Sequence, residues 1–331
     1  MMMKRILGWI LTLALLIGAL ISCDFLKKDT DATDETVGTE TSVTPPPTVY
    51  DVKTETTTFS TMSFNISAEN FTEVRGKLVV ETIVRYLPDT VGLQECSADW
   101  KEYLMEHLGA YYGYVGIGRD ANGTGLATAI LYAKSKLTLK DSGTRWLSDT
   151  PDTVSKPEAA DANYTYTWAE LERPGGECFI LLNTQLGNNS AVRTAQARML
   201  LDFMWANKDR AIVLTGDLNC VEGSEEFNTL LCEFMRHSAV IAAEKQLGTA
   251  TANKLSDTVL VYDKFVDVTV MRIATERIDG MYASNSRAAY VEFTVDSNGT
   301  EYTESGITSG DQLNQVPDRE GEEYEPFIPF T

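Results

Sequence analysis

The chain has 331 residues, 43% hydrophobic and 23% charged, a globular balance that excludes a wholly disordered or fibrous protein. Its 48 acidic against 28 basic residues leave a formal charge of −20, which repels nucleic-acid backbones and excludes general DNA or RNA binding. Only two histidines occur, His107 and His237, so the usual proton shuttle of neutral pH is scarce.

The first residues read as an address. Lys4 and Arg5 precede an apolar run, Ile6 to Ile21, the length of a signal-peptide core with its flank and short for a tilted spanning helix. The run closes on Leu20-Ile21-Ser22-Cys23, which resembles the lipobox of bacterial lipoproteins. That resemblance implies that residues 1–22 are a signal peptide and that Cys23 becomes the lipidated N-terminus. The body is then extracytoplasmic, held at the bacterial cell membrane by its lipid, on the surface or the periplasmic face. An ordinary N-terminal anchor with an incidental cysteine is the alternative, and it too leaves the body outside the cytoplasm. Residues 23–55 are rich in Thr, Asp and Glu and contain Pro45-Pro46-Pro47. With almost nothing apolar to bury, they are expected to be a disordered tether.

The folded body is expected over residues 56–331. Thr58 to Asn65 alternates at period two, as a strand does. Thr72 to Tyr86 is helical, with Val74, Leu78 and Ile83 on its apolar side, and Pro88 ends it. Thr90 to Gln94 is a short buried strand delivering Glu95, and Trp100 to Leu108 is helical. Strands are expected at Thr128–Tyr132, Tyr164–Leu171, Cys178–Leu186, Ala211–Thr215, Phe265–Ile273 and Ala288–Val295, with a helix over Ala191–Asn207. Many strands with few helices point to an α/β body of two packed sheets. Cys96, Cys178, Cys220 and Cys232 allow three disulfide pairings; free thiols are the simpler reading, and none has metal-finger spacing.

Five apolar runs are followed by polar residues that a core would reject: Asn65, Gln94-Glu95, Asn183-Thr184-Gln185, Gly216-Asp217-Leu218-Asn219 and Arg277-Ile278-Asp279. Single instances are ordinary turn formers. Converging Asp, Glu and Asn oxygens make a hard-ligand site suited to magnesium or calcium.

Taken in order, Met62 to Asn65 (Met-Ser-Phe-Asn), Gly92 to Glu95 (Gly-Leu-Gln-Glu), Gly143 to Pro151 (Gly-Thr-Arg-Trp-Leu-Ser-Asp-Thr-Pro), Leu182 to Leu186 (Leu-Asn-Thr-Gln-Leu), Leu214 to Asn219 (Leu-Thr-Gly-Asp-Leu-Asn) and Arg277 to Asp279 resemble the signatures of the endonuclease/exonuclease/phosphatase superfamily, the deoxyribonuclease-I-like group. The resemblance covers about Thr57 to Gln312. It implies a four-layer α/β sandwich, two mixed sheets face to face with helices outside, and metal-dependent phosphoester hydrolysis. Carried over residue by residue, Asn65, Glu95 and Asp311 would hold a divalent cation (Mg2+, or Mn2+ or Ca2+). Asp217 would position or deprotonate the attacking water, and Asn219 would orient the phosphate and nucleophile.

Both family histidines are missing. The Asn-Thr-His motif reads Asn183-Thr184-Gln185, and the glutamate that partners its imidazole falls on Leu126. Losing both members together avoids an uncompensated buried charge. The terminal Ser-Asp-His motif best matches Ser309-Gly310-Asp311-Gln312, with Gln312 for histidine, and Asp279 would be the aspartate that orients it. The apolar strand expected after Gln312 is absent, so the closing edge of one sheet is left open. His107, in the Trp100–Leu108 helix, and His237, expected at the end of a helix after the Asp217 motif, lie outside every motif and read as packing or surface residues.

Two functions follow. In the first, a lipid-anchored monomer carries a catalytically impaired phosphoesterase-like domain that binds a phosphorylated small molecule or a protein partner. In the second, a metal and Asp217 suffice for an active phosphodiesterase or phosphatase on a small phosphorylated substrate.

Overall fold

In the computed structural model, residues 58–67, 71–231, 235–246, 257–275, 277–278 and 280–296 are described. They alternate strands and helices: β1 (Thr58–Asn65), α1 (Glu73–Tyr86), β2 (Thr90–Cys96), α2 (Ala98–Leu108), β3 (Tyr112–Val115), β4 (Ala127–Ala133), β5 (Thr138–Trp146), β6 (Thr165–Glu172), β7 (Cys178–Gln185), α3 (Ser190–Ala206), β8 (Ile212–Asp217), α4 (Glu225–Leu231), β9 (Met235–His237), α5 (Ser238–Ile241), β10 (Glu244–Gln246), β11 (Asp257–Tyr262), β12 (Val266–Ile273) and β13 (Ala289–Val295). The signal segment, Cys23, the tether, Cys232, Asp279, Asp311 and Gln312 lie outside the described residues. Among the described residues no helix is long and apolar enough to cross a membrane.

The strands form two mixed sheets, ordered β10-β12-β13-β1-β2-β4-β3 and β5-β6-β7-β8-β11-β9. Three apolar layers separate four structural ones. Phe59, Ile130, Phe179, Val213 and Phe293 lie between the sheets. Phe64, Val79, Ile83, Trp100 and Leu104 join the first sheet to α1 and α2. Ile180, Leu200, Met204, Ile212 and Leu230 join the second sheet to α3 and α4. The fold is therefore the expected α/β sandwich, with two mixed sheets packed together and helices on the outside. The central strands are buried on both faces, so they read as nearly continuous apolar runs.

Local chemistry sets the helix ends. The Thr72 hydroxyl accepts from the Arg75 N–H (3.2 Å), and α1 stops at Leu87, which adopts a left-handed conformation before Pro88. The Ser97 hydroxyl caps α2 through the Trp100 N–H (3.4 Å), and Asn189 Oδ1 caps α3 through the N–H groups of Ala191 and Val192. These are ordinary side-chain caps for the orphaned first-turn donors.

The layer between the sheets changes character along its length. At one end Phe59, Phe179 and Phe293 pack ring to ring, with centroids 5.0 to 5.6 Å apart. Toward the other end polar groups replace them. Asn183 Nδ2 donates to the Leu93 and Ala129 carbonyls (2.8 and 2.9 Å), and its Oδ1 accepts from Gln94 Nε2 (2.6 Å) and the Thr215 hydroxyl (3.2 Å). Asn183 thus staples the sheets together, with its amide's donors and acceptor both engaged. The sheets approach this closely because of Gly92: a Cβ there would lie 2.0 Å from Thr215 Oγ1 and 2.6 Å from Asn183 Oδ1.

Three sequence expectations change. The first sheet does not wait for a strand after Gln312, because β13 lies between β1 and β12 and fills that place. Arg277-Ile278 does not end a strand: β12 stops at Ile273, and Ile278 bridges Met281 within the connection to β13. His237 does not end a helix; it sits buried in β9, its Nδ1 3.2 Å from Glu222 Oε1 and its ring against Phe227. His107 is exposed and stacks on Tyr103. Cys96, Cys178 and Cys220 are free thiols; Cys96 is buried and the other two are half-buried.

Candidate functional site

Parallel pairing of β1 with β2 and of β7 with β8 brings four carboxyl ends to one rim. Asn65 stands at its centre, 4% exposed. Its Nδ2 donates to both Glu95 Oε1 (3.0 Å) and Asp217 Oδ2 (2.7 Å), so one amide bridges two carboxylates. Its Oδ1 accepts from the Ser67 N–H (2.9 Å), which fixes the amide so that nitrogen, not oxygen, faces the carboxylates. Its carbonyl accepts from the Ser284 hydroxyl (2.7 Å), and its N–H donates to Asp257 Oδ1 (2.9 Å). Gln185 Nε2 donates to the same Glu95 oxygen (2.9 Å). Asn219 donates its N–H to Asp217 Oδ1 (3.2 Å) and its Nδ2 to the Leu186 carbonyl (2.7 Å).

Two of these residues hold left-handed backbones, Glu95 (φ 59°) and Asn219 (φ 49°). Asparagine tolerates this conformation. For glutamate it is a strained position of the kind that clusters at functional sites. In β2 it coincides with a bulge between Leu93 and Cys96 against β4, which re-aims the side chain at that point.

The electrostatics are one-sided. Asp217, 5% exposed, has its pKa raised chiefly by burial and further by the Glu95 charge, against hydrogen bonds from Asn65, Asn219 and Gln185. Asp257, opposite Asp217 across the β8–β11 pair and 1% exposed, is pushed well above the usual carboxylate range by burial and by the Asp217 charge, with the Asn65 N–H opposing. Its Oδ2 is buried without a hydrogen-bond partner. A rim rich in acid with an orphaned carboxylate oxygen fits a hard cation by donor chemistry. Among the described residues, however, no three His, Cys, Asp or Glu side chains stand close enough to hold a metal ion by themselves. Glu95 is the half-buried acid of the rim, and further oxygens for such an ion would have to come from amides, backbone or water.

Asn65, Glu95, Gln185, Asp217 and Asn219 are therefore brought together. The sequence reading missed Asp257 and Ser284. Its search was for polar residues after apolar runs, whereas Asp257 begins its strand because β11 runs antiparallel to β8. The legible signal was the acid ahead of the Val259-Leu260-Val261 run. Leu126 and Gln185 face a common small cleft, shared with Arg119, Ala127, Thr128, Tyr164 and Thr165. The Gly143–Pro151 segment supports that cleft: the Trp146 indole N–H donates to the Arg119 carbonyl (2.7 Å), and the Leu147 N–H to that of Tyr164 (2.8 Å).

A two-sheet α/β sandwich with paired carboxylates and amides at the ends of its central strands defines the class. The Endonuclease/Exonuclease/phosphatase family model matches residues 62–300, and the chain belongs to that family. It is similar to an endonuclease/exonuclease/phosphatase from Bacteroides vulgatus (24% identity, 72% of this chain and 100% of that one, TM-score 0.66). It is also similar to a mannosyl-6-phosphatase from Bacteroides thetaiotaomicron (20%, 71% and 99%, 0.66) and to the catalytic domain of human Nocturnin with bound sulfate anion (18%, 72% and 95%, 0.57). No curated protein matches the chain.

Proposed function

We propose that this protein is an extracytoplasmic, lipid-anchored monomer whose family domain binds a small phosphorylated ligand at the Asn65–Asp217 rim and hydrolyses it slowly. The observation that carries this is the Gln185 amide donating to Glu95, at the position where the family resemblance expects an imidazole. An amide donates a hydrogen bond but takes up no proton and bears no charge. Loss of general acid–base help is worth roughly 10²–10⁴-fold in rate.

The remaining residues suit a phosphoester. Asp217 is the proton acceptor for an attacking water, and its two oxygens are aimed by Asn65 Nδ2 and the Asn219 N–H. A magnesium, manganese or calcium ion, when bound, neutralises phosphate charge; Glu95 is the described carboxylate that would hold it. One structural relative is a mannosyl-6-phosphatase, which makes mannose 6-phosphate a reasoned first probe.

A second reading, an active phosphatase or phosphodiesterase, is favoured by the intact Asn65–Asp217–Asn219 array and by the raised pKa of Asp217, which suits a general base. Phosphate release from mannose 6-phosphate and from a generic phosphodiester, with excess magnesium or manganese, decides between them. Slow release, slower still in Asp217→Ala, is expected. Rapid release abolished by Asp217→Ala establishes the efficient enzyme and removes the first reading.

A further inference from the structure

We propose that Arg119 is a phosphate-gripping residue, working with Gln185 across the cleft beside the carboxylate rim. The proposal deepens the reading above and rests on it. The chain carries 48 acidic residues, yet this guanidinium makes no ion pair or hydrogen bond among the described residues. Its Nε is buried without a partner. Two neighbouring acids are committed elsewhere. Asp120 Oδ1 accepts from Asn163, and Asp161 accepts from the Tyr164 hydroxyl and from Asn188. What supports the guanidinium is the Tyr164 ring, whose centroid lies 5.6 Å from it.

The backbone beneath Arg119 is fixed. Its N–H donates to the Leu126 carbonyl (3.0 Å), its carbonyl accepts from the Trp146 indole (2.7 Å), and the Gly118 and Asp120 N–H groups close the loop onto Gly123 and Thr124. The loop is tight at Gly118, where a Cβ would lie 2.1 Å from the Thr124 carbonyl oxygen. Arg119 is thereby held opposite Leu126, in the cleft that also holds Gln185, and Gln185 reaches Glu95 on the rim.

The chemistry of the two sides is complementary. The rim offers carboxylates that repel a phosphate unless a cation intervenes. The cleft offers a planar fork of donors with a permanent charge, matched to two oxygens of one phosphate group. A phosphomonoester bridging the rim and the cleft supplies the acceptors that Arg119 lacks. Because Leu126 contributes no acid, nothing in the cleft competes for the guanidinium.

The test is calorimetric titration of the full-length protein with mannose 6-phosphate and with inorganic phosphate, in the presence of magnesium. Wild type, Arg119→Gln and Arg119→Lys are compared, with folding checked by circular dichroism. Loss of one charge-assisted contact predicts about tenfold or weaker binding for Arg119→Gln. Arg119→Lys, which keeps the charge without the fork, should recover part of the loss. Its similar stem and the backbone anchor at Trp146 also make it the informative variant if Arg119→Gln does not fold. Wild-type affinity in both variants overturns the role of Arg119 while leaving the phosphate-binding reading intact. If the wild-type protein binds neither probe, that reading falls and this inference falls with it.

Discussion

Asp257→Asn should stabilise the metal-free protein at neutral and alkaline pH. Asp257 is almost fully enclosed; one oxygen accepts from the Asn65 N–H (2.9 Å) and the other has no partner. Burial and the facing Asp217 charge hold its pKa well above the ordinary range. An unfolded aspartate titrates near about 3.9, so above that pH the folded state carries more protons than the unfolded one. Stability is then fully present below the unfolded value and falls as pH rises through the folded one. Asp217, also raised chiefly by burial, adds a slope of the same sign. An amide at 257 keeps the acceptor for Asn65, removes the charge and adds a donor among acids. Leaving a buried polar group unsatisfied costs about 1–3 kcal/mol, more if charged. A gain of about 2 kcal/mol at pH 8 would raise Tm by roughly 4–8 °C in a domain of this size. Thermal melts in a chelator from pH 4 to pH 8 should converge for variant and wild type at the acid end and separate toward pH 8. Parallel melts across the range, or a variant less stable at pH 8, would refute the reasoning.

Gly92→Ala places a methyl against Thr215 and Asn183 between the sheets and should cost about 3 kcal/mol or more, read as a lower urea midpoint; an unchanged midpoint shows that the sheets can part there. Gln185→His alone should raise phosphate release little, since Leu126 offers the imidazole no carboxylate. Adding Leu126→Glu should gain more than the two singles combined, and additive rates in the folded variants would argue against the pairing. The mature N-terminal peptide should carry lipid on Cys23 by mass spectrometry; an unmodified peptide beginning upstream would rule out the anchor.

Legibility follows chain direction and period. β1, α1 and β7 are readable because each keeps one period, ends on a recognisable cap or breaker, or delivers its polar residue last. β5 and β9 escape a reading of the sequence. β5 is mostly polar, with exposed and half-buried residues in no regular alternation, and β9 spans three residues. Asn65, Glu95, Asp217 and Asn219 are legible because their strands run toward the rim. Asp257 leads its strand away from the rim, and Ser284 acts through a backbone carbonyl in a connection, so neither announces itself by position. Arg119 is a stray charge in the sequence; only the folded loop shows that no acid among the described residues answers it.

The central claim is that the rim binds a phosphorylated ligand and turns it over slowly. Phosphorus-31 NMR of mannose 6-phosphate mixed with the intact protein and magnesium measures both in one sample. The account predicts a shifted or broadened phosphate resonance, restored toward its free position in Arg119→Gln, while inorganic phosphate accumulates slowly, and more slowly still in Asp217→Ala. An unperturbed resonance, or rapid accumulation of inorganic phosphate that Asp217→Ala abolishes, would contradict it.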